Sequence, residues 1–174
     1  MNKALVCFLI FICVSLNSSK AQSDNELLET LTKLSELESL MQKAVDVNDA
    51  MEEAIAYIKL VRSLNKDYRS EEAIPVLLFR AGDVSTGIGA FEQAIDLWEN
   101  LIEEYPNHDL KARAIFFQGF VLDTKQQKYD EARQKYEYFL SNFPEHELNS
   151  SARMLWSKLG SSDADLLNKI KSGN

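Results

Sequence analysis

The middle of this chain is written twice. Phe91-x2-Ala94-x3-Trp98-x2-Leu101-x4-Pro106 returns as Tyr129-x2-Ala132-x3-Tyr136-x2-Phe139-x4-Pro144, with every spacing kept and a period of 38 residues. The register holds past the prolines, with His108 over His146, Leu110 over Leu148 and Ala114 over Ala152. A period of this size means stacked supersecondary units rather than one mixed core. Small and aromatic residues recur at three- and four-residue steps, the spacing of a helix face, and each copy stops at a proline.

Residues 1–21 read as a segment outside that core. Lys3 gives a basic start, Ala4 to Val14 is unbroken apolar sequence, and Ser15 to Ala21 is small and polar. This is the anatomy of a secretory signal peptide cut after Ala21. The apolar run is shorter than the ~20 residues a bilayer span takes, so no membrane span is expected. Ile12 before Cys13 departs from the small residue that precedes a lipoprotein cysteine. The expectation is an exported protein, periplasmic or secreted. Both cysteines leave with residues 1–21, so packing alone must hold the mature domain. The full chain carries −8; without Lys3 and Lys20 the mature chain sets 17 basic against 27 acidic residues, or −10. Phosphate binding needs a basic face, so nucleic acid is excluded as a partner.

The rest reads as all-α. Residues 22–48 hold an amphipathic helix carrying Leu27, Leu28, Leu31, Leu34, Leu37 and Leu40. Its stripe, over residues 24–45, offers a surface for packing or for weak self-association. Residues 49–174 hold the repeat domain. Asp49 and Glu52 have the spacing of a capping box for a helix over 50–64, with Ala54, Ile55, Ile58 and Val61 inward. Pro75 belongs in the first turn of the next helix. The best repeats are 75–106 and 107–144, with capping helices over 147–172. Thr86-Gly87-Ile88-Gly89 makes the first hairpin turn. Helices are expected over 90–105, 109–125, 129–142 and 147–159. Gly160 would end the last of these, and Ser162 with Asp165 would open one more helix. The total is about seven to eight helices after signal removal.

Leu78-x2-Ala81-Gly82, followed by Phe91, Ala94, Trp98, Leu101 and Pro106, resembles a tetratricopeptide repeat. In that family small residues sit where the two helices of a hairpin nearly touch, and aromatics fill the gaps between hairpins. The second copy departs from the pattern, with Phe120 after Gly119, and its period exceeds the family's roughly 34 residues. The resemblance implies a right-handed helical-hairpin solenoid that works as a non-enzymatic protein-binding scaffold, with no cofactor. The Tyr-Pro and Phe-Pro ends are similar to those of exported bacterial members, including the Tol-Pal accessory protein and outer-membrane assembly lipoproteins. That likeness implies a place in the cell envelope.

Chemistry is sparse. His108 and His146 each lie beside an acid, but both stand two residues after a helix-ending proline, at a repeated helix-opening position. Equivalent positions in adjacent hairpins are two helix layers apart, roughly 16–20 Å, too far to share one metal ion. The acid pairs Glu52-Glu53, Glu71-Glu72 and Glu103-Glu104 lack the alternating loop a calcium site requires. Asn149-Ser150-Ser151 fits a glycosylation acceptor at a helix start. Two function classes remain. One is a scaffold that grips a partner on the concave face formed by first helices. The other is a small-ligand binder built on the aromatics near Phe116 and Phe117. The resemblance places Val76, Phe79 and Asp83 on the concave face of the first copy, and Arg113, Phe117 and Val121 on that of the second. Phe79 and Phe117 would be anchors and Asp83 the polar contact. Arg113 is the residue there that could pair with a carboxylate. The net charge favours an apolar or basic partner segment.

Overall fold

A computed structural model describes the backbone over residues 3–159 and the side chains over 20–159. Every regular element among the described residues is a helix, and the chain forms two compact units, 1–68 and 69–174. No helix among them is long and apolar enough to cross a membrane. The Gly160 cap and the helix expected from Ser162 lie outside the described residues.

The first unit is a hairpin of α1 (Lys3–Lys43) and α2 (Met51–Asp67). α1 runs unbroken through the Ala21–Asp24 boundary, because no glycine or proline stands between residues 3 and 43 to stop it. Leu34 is buried, while Leu28 and Leu40 are 63% and 50% exposed, so only part of the expected apolar stripe is covered. The two helices run antiparallel. Tyr57 donates its hydroxyl to Glu38 Oε1 at 2.8 Å, and Tyr68 donates to the Ser23 carbonyl at 3.2 Å. The capping box expected at Asp49 does not form. Asp46 Oδ1 instead accepts the N–H groups of Asn48 and Asp49 and folds the turn, and α2 begins behind Ala50 with no side-chain cap. Ile55 is exposed rather than inward, since it lies one step off the Ala54, Ile58, Val61 stripe that Tyr57 and Leu64 complete.

The second unit is a helical-hairpin solenoid of two hairpins and a further helix. α3 (Ala73–Gly87) pairs with α4 (Phe91–Glu104), and α5 (Leu110–Thr124) pairs with α6 (Tyr129–Asn142). α7 (Asn149–Lys158) follows against α6, while α3 and α5 touch directly as neighbouring first helices. Pro75 is in the first turn of α3, as its missing N–H requires. Tyr105 and Phe143, each followed by proline, leave the helical region with ψ of 61° and 55°.

Small residues set the distance between paired helices. A Cβ on Gly82 would overlap the Trp98 indole, and one on Gly119 would come within 2.9 Å of the Tyr136 ring. These glycines are 37 residues apart, whereas Trp98 and Tyr136 are 38 apart. The paired helices match in length, so the difference falls in the hairpin turn: three residues over 88–90, four over 125–128. Gly89 turns the first with φ 77°; Gln127 turns the second with φ 56°, and it is the one described non-glycine residue at positive φ. Ala94, Trp98, Ala132, Tyr136 and Phe139 are all fully buried.

Candidate functional site

Helical spacing sets one stripe of repeated positions along each first helix, exposed on α3 and α7 and half-buried from Arg113 to Phe120 on α5. On α3 it is Val76, Arg80, Asp83 and Gly87; on α5 it is Arg113, Phe117, Phe120 and Thr124; on α7 it is Ser150, Met154 and Ser157. The steps of four and three residues recur, each set displaced by 37 from the last. Val76 and Met154 are 42% and 53% exposed, large apolar groups left to solvent on successive helices.

Val76, Asp83, Arg113 and Phe117 thus occupy the stripe, but Phe79 and Val121 do not. Phe79 is 7% exposed and lies against Trp98 and Phe117, with ring centroids 6.3 and 5.9 Å away. Its carbonyl accepts Trp98 Nε1–H at 3.1 Å, and the Arg113 guanidinium covers its outer face at 5.6 Å from the ring centroid. Phe79 is therefore the floor beneath Arg113, and Arg80 takes the open position. Val121 is 1% exposed and Phe120 replaces it, because the first helices are offset by 37 residues and not by 38. Phe116 is buried among Phe120, Tyr136 and Phe139, so it belongs to the interior rather than to a ligand pocket.

Solvent reaches Asp83, yet crowding by its neighbours pushes its carboxyl up to about 6, against the opposing charges of Arg113 and Arg80. Arg113 Nε is covered and finds no acceptor. The charges divide by layer. α4 and α6 together carry eight acidic and two basic residues; α3, α5 and α7 carry two acidic and five basic. The second helices are thus net −6 and the first helices net +3.

Other polar groups hold repeats together. Gln118, fully buried, donates Nε2–H to the Ile95 carbonyl at 3.0 Å and to Glu99 Oε2 at 2.7 Å, and Lys135 reaches the same carboxylate at 3.0 Å. Burial would raise the Glu99 carboxyl, but these donors outweigh it and hold it below the usual range. One repeat on, Trp156 donates Nε1–H to Glu137 Oε1 at 3.2 Å. Glu99 and Glu137 are 38 residues apart, a repeated rung that the sequence carries outside the small and aromatic positions of the motif. His108 and His146 accept the N–H of Leu110 and Leu148 through Nδ1, each at 3.1 Å, which makes them paired helix-opening residues. No group of three or more His, Cys, Asp or Glu among the described residues could hold a metal ion.

Compared with known families, residues 76–108 and 114–146 each match the model described as tetratricopeptide repeat. No curated protein and no solved structure matches the chain.

Proposed function

The chain carries two tetratricopeptide repeats, and on that premise we propose that it is a non-enzymatic scaffold of the cell envelope whose first-helix stripe holds a segment of a partner protein. Repeats of this kind mediate protein–protein interaction. The observation that carries the reading is the open stripe itself, aligned across α3, α5 and α7, with Val76, Phe117, Phe120 and Met154 as apolar positions. Val76 and Met154 are exposed and the half-buried Phe117 and Phe120 lie between them, an apolar row on which a partner segment can bury further area. The occupant is an apolar segment lying across the concave side, with Asp83 as a contact for a basic group. Strongly basic segments are better served by the second helices, where the negative charge is concentrated.

The envelope assignment rests on residues 1–21. Mass spectrometry of the protein from its own host should find a chain beginning near Gln22; an intact Met1 would overturn export, and a lipid on Cys13 would overturn the cut after Ala21. Once a partner is captured, Phe117→Ser should weaken its binding at least about tenfold, the loss of one well-placed aromatic anchor. Circular dichroism of the variant is the check that it remains folded. Unchanged affinity in the folded variant would move the site elsewhere.

A further inference from the structure

Between α4 and α6, over the end of α5, lies an open groove of about 310 Å³. Leu122, 3% exposed, and the partly buried Ile95 give it an apolar bottom continuous with the core. Glu92, Asp96 and Glu131 stand around it, all exposed. Of its two lysines, Lys135 is engaged with Glu99, 3.0 Å away, and Lys128 stands exposed at the rim. Gln126 holds one edge by donating Nε2–H to Glu92 Oε1 at 2.7 Å, and its own Oε1 has no donor. At the small end of ligand-site volumes, the groove suits one side chain better than a cofactor.

We propose that this groove is a second binding site, separate from the first-helix stripe, that takes a lysine or arginine side chain from a partner protein. The methylene stem lies over Ile95 and Leu122, as long cationic side chains do on apolar surface, and the cation sits among the Asp96, Glu131 and Glu92 carboxylates. Charge complementarity selects this occupant. Three carboxylates line the groove against two lysines, one of them held by Glu99, so the lining keeps a net negative charge that draws cations and repels acids.

Methyl-resolved NMR of the full chain tests the site, with blocked tetra-arginine and blocked tetra-glutamate peptides as probes. The arginine peptide should shift the Ile95 and Leu122 methyl signals saturably, and the glutamate peptide should not. The double variant Asp96→Asn with Glu131→Gln changes two exposed side chains and leaves the core intact. It should weaken arginine-peptide binding about three- to tenfold, the sum of two solvent-exposed ion pairs. Absent or unsaturable shifts would overturn the proposal. So would undiminished binding in the double variant, which would reveal diffuse attraction to the acids of α4. The double variant leaves every stripe residue unchanged and the reporting methyls belong to the groove, so failure here is distinguishable from failure of the stripe.

Discussion

A methyl group added to Gly82 has nowhere to go, because the Trp98 indole fills that space and is itself tied to the Phe79 carbonyl. Gly82→Ala should therefore lose about 2–3 kcal/mol in denaturant unfolding, the upper range for overpacking a rigid site. Gly87→Ala is the matched control: nothing lies within 4 Å of its Cβ, and removing a helical glycine should be neutral or stabilise by up to ~1 kcal/mol. Equal effects at both positions would contradict the close approach of α3 and α4. Asp83 gives a different test. Its folded pKa, about 6, lies above the ordinary 3.8, so the folded state favours the protonated form. Its contribution to stability is full at low pH and lost as pH rises through about 6. Asp83→Asn should melt with the parent near pH ~3.5 and above it at pH ~8; the reverse order would contradict the crowding around this carboxyl.

At the scale of elements, the doubled motif made most of the second unit legible. The α6 bounds, Tyr129–Asn142, coincide with the reading, and α4 and α5 differ by a single capping residue at each end. Prolines made the C-terminal ends of α4 and α6 readable, because a proline beyond the first turn cannot continue a helix. The second hairpin turn carried no such mark. Gln127 adopts positive φ without being glycine, so nothing in the sequence marks the extra residue at 125–128, and the 38-residue period points to Val121 where the structure has Phe120. Phe79 was misplaced for another reason: helical spacing allows either Phe79 or Arg80 outward, and only the contacts with Trp98, Phe117 and Arg113 decide between them. Trp98→Ala should cost about 3–5 kcal/mol, and Ala94→Leu should also destabilise, since both sites are fully buried at the α3–α4 contact. Thermal melting of the two variants checks this. Melting with the parent in both would contradict the pairing of these helices.

At the scale of the second unit, repetition gives a surface as well as a core. Displacing the same open positions by 37 residues lines up side chains that belong to three helices, and no single helix could present that row. The same stacking sorts charge, leaving the first helices net positive and the second helices strongly negative, which whole-chain composition conceals. Partner choice therefore depends on which side is engaged. The most direct test of the scaffold reading is site-specific photo-crosslinking in the native host. A photoreactive phenylalanine is placed at Phe117, at Met154, or at Tyr138 on α6, which is 48% exposed and off the stripe. The account predicts a discrete protein adduct from positions 117 and 154 that is absent at 138. Adducts from position 138 alone, with none from the first-helix positions, would contradict it.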